Sequence, residues 1–197
     1  MIRAAPSSRR RRPMGRPLSS EARNLLLRLV RDTLSARFRG EPLPEPPIPE
    51  GPLTELRGAF VTLKEKGQLR GCIGHVVGLE PLWKSVRSNA INAAFHDPRF
   101  SPLEPDELPR VKIEISALTP LEEVASPDEI EVGLHGVMIE KGLYRGLLLP
   151  QVAVEYGWDR ETFLDYTCRK AGLQPGCWKD QDARISVFSA EVFSEDD

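Results

Sequence analysis

No stretch of about 18 apolar residues occurs in the sequence, so no membrane-spanning helix is expected. Cysteine is scarce: Cys72, Cys168 and Cys177 are the full set. Three cysteines cannot all pair within one chain, none falls in a Cys-x-x-Cys pattern, and their spacing matches no zinc motif. The expectation is free thiols in a reducing, cytoplasmic setting, with no metal and no cofactor. Acidic residues are missing from residues 1–17, where Arg3, Arg9, Arg10, Arg11, Arg12 and Arg16 give a charge of +6 and leave the rest of the chain at -8. An acidic folded part argues against a broad nucleic-acid surface. Residues 1–18 read as a solvated, disordered basic tail. The tail's paired arginines have no apolar stretch behind them and do not read as a secretion signal. No internal repeat is visible.

What is present is an ordinary globular composition. Hydrophobic residues make up 40% of 197, enough for one well-filled core or a large lobe with a small annex. Ser19 or Ser20 caps a helix over 19–38, whose stripe is Ala22, Leu25, Leu26, Leu29, Val30 and Thr33. Six prolines between Pro42 and Pro52 forbid helix and sheet alike, so residues 40–52 form an extended strap. Residues 59–64 and 69–73 make a hairpin around Glu65-Lys66-Gly67-Gln68. A helix follows over 81–95 and stops before His96-Asp97-Pro98. Val111, Ile113 and Ile115 alternate with Lys112, Glu114 and Ser116 in a strand over 110–119 with one wet face. Ser126 starts a short capped turn. Residues 136–141 and 145–149 form a second hairpin around Gly142. Helices over 150–156 and 159–171 and a last strand over 184–193 complete the chain. Hairpins mixed with helices predict an α+β fold with a mostly antiparallel sheet and flanking helices.

The chemistry-bearing residues cluster around Leu69-Arg70-Gly71-Cys72-Ile73-Gly74. Glycines at a strand end leave amides unshielded, able to collect an anion or stabilise an oxyanion. Arg70 lies two residues from Cys72 and is expected on the same strand face, where its guanidinium would favour thiolate. A buried cysteine acting as core filler is the alternative. His75, His96 and His135 are candidate bases. Asp97-Pro98-Arg99-Phe100 reads either as a ligand-binding pair or as a salt-bridged loop that pins the helix end. Gln151 follows Pro150 at a helix start, where amides point outward.

These residues resemble the AMMECR domain family, named after a human chromosomal region. The resemblance rests on Leu69–Gly74, Asp97–Phe100, Val132–Gly136, Arg145–Ala153, Gly157-Trp158 and Cys168–Leu173, and runs from about residue 19 to 197. It implies a larger and a smaller lobe around a cleft. The cleft residues it implies are Arg70, Cys72, Asp97, Arg99, His135 and Gln151, to which the amides at Gly71 and Gly74 add the binding positions read from the strand end. It also implies a place beside a Memo-type protein and a radical SAM-type protein in a modification pathway. His75 stands where relatives commonly carry a smaller or less polar residue.

Two functional expectations follow. In the first, Cys72 is a nucleophile, His135 its base or acid, and Arg70 or Arg99 an anion clamp, in an enzyme or enzyme subunit. In the second, the same cleft binds an anionic small molecule or a protein without catalysis. A structural role for Cys72 is the third alternative.

Overall fold

A computed structural model of the chain describes residues 16–46 and 49–197. Most of the expected basic tail therefore lies outside the described residues. Its last part does not: Leu18 is buried, and its N–H donates to Glu191 Oε2 at 3.0 Å.

Helix α1 (Ser20–Arg39) opens where Ser19 Oγ accepts the Ala22 N–H and closes at Gly40, whose φ of 68° suits glycine. Strands β1 (Ala59–Glu65) and β2 (Gln68–His75) form the first hairpin. Lys66 and Gly67 both have positive φ, the signature of the two-residue turn that matches strand twist. Helix α2 (Leu82–Phe95) begins directly after Pro81. Strands β3 (Val111–Leu118) and β4 (Glu122–Glu123) follow, then the hairpin of β5 (Gly136–Lys141) and β6 (Tyr144–Leu148). Helices α3 (Pro150–Glu155) and α4 (Arg160–Lys170) come next, α4 capped by Asp159 Oδ1 on the Thr162 N–H at 2.8 Å. The chain ends in β7 (Ala183–Phe188) and β8 (Ala190–Ser194).

The single last strand expected from sequence is thus two strands, and they serve two different sheets. The first sheet has the order β2-β1-β3-β8, the second β4-β7-β5-β6, and every pairing is antiparallel. Helices α1 and α2 cover one face of the first sheet, where Leu26, Val30, Val61, Leu63, Val86, Ile113 and Ile115 form a core. Helices α3 and α4 cover the second sheet around Val137, Ile139, Ala153, Phe163 and Leu164. Each fully buried aliphatic or aromatic side chain stabilises its lobe by about 1.5–3 kcal/mol.

At the end of the first sheet where β3 leaves and β8 enters sits Arg57, a buried cation with no signal in the sequence pattern. Its Nε donates to the Leu118 carbonyl at 2.6 Å and its Nη2 to Glu191 Oε1 at 3.0 Å. Thr119 and Ser189, at the two crossing points, hydrogen-bond each other.

The expectation of three free thiols is overturned. Cys168, in the last turn of α4, is disulfide-bonded to Cys177, leaving Cys72 as the free cysteine. The reason is local: Gly172 takes a φ of 79° and the turn after it folds back, with the Leu173 N–H on the Cys168 carbonyl. That brings two cysteines nine residues apart to a Cα separation of 6.0 Å, within bridging range.

Candidate functional site

Cys72 sits on β2, the edge strand of the first sheet, opposite Thr62. Leu63 and Val61, the core residues of β1, pair with Gly71 and Ile73. Alternation therefore turns Cys72 to the opposite face, away from α2. On that face Cys72, Thr62, Glu114 and Ser194 form one row across four strands, and all four are half-buried. The Thr62 hydroxyl donates to Cys72 Sγ at 3.2 Å.

The backbone of Cys72 points outward from the sheet edge and is capped from outside. Its N–H donates to Asp97 Oδ2 at 2.9 Å, and its carbonyl accepts from Arg99 Nη2 at 3.1 Å. Asp97 and Arg99 are themselves joined through Nε to Oδ1 at 2.9 Å and Nη2 to Oδ2 at 2.7 Å. The two-pronged bond to Arg99 holds the Asp97 carboxyl well below the usual carboxylate range, reinforced by the Cys72 and Arg99 N–H groups and opposed by burial. The same bond raises Arg99, with a further contribution from the Cys72 side chain. Asp97 is almost sealed, its side chain 2% exposed, while Arg99 keeps 54% of its side chain in solvent. This motif is therefore the salt-bridged loop anticipated as one of its two readings, and it also blunts a sheet edge.

Arg70 is placed differently from expectation. Lys64 pairs with Leu69 and Leu63 with Gly71, so Arg70 is the extra residue of a β-bulge. Its guanidinium is taken by Glu107 at 2.7 and 2.8 Å and by the Ser101 and Pro102 carbonyls. Glu107 raises Arg70 and is itself lowered by it. Arg70 thus clamps the loop after Asp97.

The glycines also differ from expectation. A Cβ on Gly71 would lie 2.1 Å from the Ala93 carbonyl oxygen of α2, and one on Gly74 would lie 2.4 Å from the Phe60 ring. Close approach of a helix and of an aromatic ring accounts for both, rather than amides opened to a ligand.

His135 belongs to the second sheet, one residue before β5, and is buried. Its Nδ1 accepts the Glu131 N–H at 3.1 Å, and its own N–H donates to the Glu131 carbonyl at 2.9 Å. Gln151 lies exposed in the first turn of α3, beside the same sheet. The structure therefore brings Cys72, Asp97 and Arg99 together by direct bonds, with Arg70 anchoring the adjoining loop, and carries His135 and Gln151 on the other lobe. His75 is exposed at the end of β2, and His96 Nδ1 lies 3.2 Å from Asn92 Oδ1.

Thr62 and Glu107 were not singled out by sequence. Counting back from the turn in a regular hairpin would pair Cys72 with Val61; the bulge at Arg70 moves the partner to Thr62. Among the described residues, no group of three or more His, Cys, Asp or Glu is placed to hold a metal ion, and no helix is long and apolar enough to cross a membrane.

The sequence model of the AMMECR1 family matches residues 27–193. A protein of Methanothermobacter thermautotrophicus is 45% identical over 189 residues, covering 91% of this chain and 97% of its own. A protein of Aquifex aeolicus is 45% identical over 177 residues, covering 86% and 91%. The crystal structure of an uncharacterised protein from Pyrococcus horikoshii shares the fold with a TM-score of 0.68 at 42% identity, over 86% of this chain and 89% of that one.

Proposed function

We propose, from the premise that the chain belongs to the AMMECR1 family, that it is a non-catalytic binding module whose site is the β2 edge at Cys72 and Arg99. One observation carries this reading. Arg99 is fixed by a buried carboxylate and a strand carbonyl, yet leaves over half its side chain in solvent beside a free thiol. A cation locked on a rigid edge suits recognition of an anionic group on a small molecule or a protein. Memo-type and radical SAM-type proteins, acting in a modification pathway, are the partners of this proposal. The test is binding of the purified protein to each of those two partners. Cys72→Ser is expected to retain affinity and Arg99→Ala to lose it. Equal affinity for the wild type and Arg99→Ala would overturn the reading.

A second reading, a cysteine-dependent enzyme, is favoured by the Thr62 hydroxyl on Cys72 Sγ and by the nearby guanidinium. It separates from the first through iodoacetamide labelling across pH. A nucleophile labels in the folded protein with a thiol titration well below the ordinary value of about 8.5, and Cys72→Ser then binds without turnover.

A cytoplasmic location is part of the proposal. It requires the Cys168–Cys177 bond, buried in the second core, to resist the thiol pool there.

A further inference from the structure

The second sheet has a bare edge. Strand β6 is its last strand, joined to β5 by the two-residue turn Gly142-Leu143. In such a hairpin the closing pair, Lys141 and Tyr144, is hydrogen-bonded, and pairs alternate from there. Gly146 and Leu148 therefore bond to β5, while Arg145 and Leu147 turn their N–H and C=O groups outward. Among the described residues no hydrogen bond reaches those four groups. At β2 the corresponding groups of Cys72 are capped by Asp97 and Arg99; at β6 no side chain does this.

The edge runs beside a basic helix flank. A Cβ on Gly146 would lie 2.3 Å from the Ala171 nitrogen and 2.5 Å from the Thr167 carbonyl oxygen, so the C-terminal end of α4 rests directly on β6. Tyr166 and Lys170, four residues apart, share the stripe adjoining Thr167 and Ala171. Arg169 stands over the Tyr166 ring at 4.8 Å. Among the described residues neither Arg169 nor Lys170 has a carboxylate partner, and Arg145 pairs with Glu140 of its own hairpin.

We propose that the β6 edge and the adjoining flank of α4 form a groove that takes an extended, acidic segment of a partner protein as an added strand. Unpaired backbone groups supply the ladder, and Arg169 and Lys170, on the α4 side of the edge, select acidic side chains. The charge decides the occupant. A second copy paired through β6 would bring the same cations against one another, whereas an acidic strand neutralises them. The groove is separate from the Cys72 edge and does not depend on it.

The test uses the isotope-labelled full-length protein and two pools of peptides of about ten residues, long enough to span a strand. One pool alternates Asp or Glu with β-branched residues; the other carries Lys or Arg at the acidic positions. The acidic pool is expected to slow amide exchange at Arg145 and Leu147 about tenfold or more, and the basic pool to leave it unchanged. In a doubly reversed variant, Arg169→Glu with Lys170→Glu, both exposed changes, the protection is expected to pass from the acidic to the basic pool. Absence of protection by the acidic pool, protection that survives charge reversal, or protection that grows with protein concentration alone would each overturn the proposal, the last in favour of self-pairing.

Discussion

The backbone N–H of Cys72 and the carboxylate of Asp97 lie 2.9 Å apart, joining an edge strand to a loop 25 residues further along the chain. Among the described residues Asp97 alone accepts that N–H, and it is the counter-charge for Arg99. Asp97→Ala leaves the N–H unsatisfied and the guanidinium unpaired, and is expected to cost about 3 kcal/mol. Asp97→Asn keeps one accepting oxygen but turns the other into an NH2 donor and removes the charge, so a loss smaller than alanine's is expected. Urea denaturation of the two variants beside the wild type measures both.

The same carboxylate makes stability fall in acid. Folded Asp97 gives up its proton more readily than the unfolded residue, so its contribution is complete above the ordinary aspartate value of 3.8 and drains away as pH falls below it. Glu107, lowered by Arg70, adds a loss of the same sign beginning near 4.5. Thermal melts from pH 6 to about pH 2 should show a steep decline that Asp97→Asn makes shallower. An unchanged slope in the variant would mean that Asp97 titrates alike in both states.

Gly71→Ala separates packing from ligand access. The added methyl meets the Ala93 carbonyl of α2, a backbone atom that cannot rotate aside. A loss of about 2–3 kcal/mol is expected from this overpacking, read as a lower unfolding midpoint. A neutral effect would show that α2 shifts freely over β2.

Removing the disulfide with paired Cys168→Ala and Cys177→Ala changes stability through the unfolded chain. Closing a loop of nine residues corresponds to about 2.6 kcal/mol in the chain-entropy account. The midpoint should drop accordingly, while the Cys72 edge on the other lobe keeps its labelling rate. Mass-spectrometric thiol counting on rapidly quenched cells checks whether the bond exists in the living cell: one labelled cysteine is expected, three would refute it.

Element type was legible wherever periodicity and caps agreed. Ser19, Asp159 and Gly142 mark boundaries that the structure keeps within a residue or two, and alternation in β3 correctly put Ile113 and Ile115 inside. The division of the last strand was not legible, because Arg184 to Phe193 carries no proline or glycine where it passes from one sheet to the other. Arg57 was invisible for a related reason. A buried arginine is defined by partners far away in sequence, here Leu118, Glu191 and Arg16. At the candidate site the local pair Asp97 and Arg99 was readable, whereas the role of Arg70 turned on a bulge that shifts register without changing composition. Gly71 and Gly74 were read as openings because a glycine's sequence context does not reveal which backbone or ring comes close to it.

The C-terminal strand also sets an order of events during translation. Glu191 receives Leu18, Arg23 and Arg57, and Glu195 receives Arg31 and the Ile113 N–H. Until β8 and Glu195 have left the ribosome, the nascent first lobe holds Arg23, Arg31 and Arg57 without these carboxylates and its sheet without the β8 border. A chain that stops short of Glu191 would leave the buried Arg57 cation uncompensated, a species for quality control rather than a working protein.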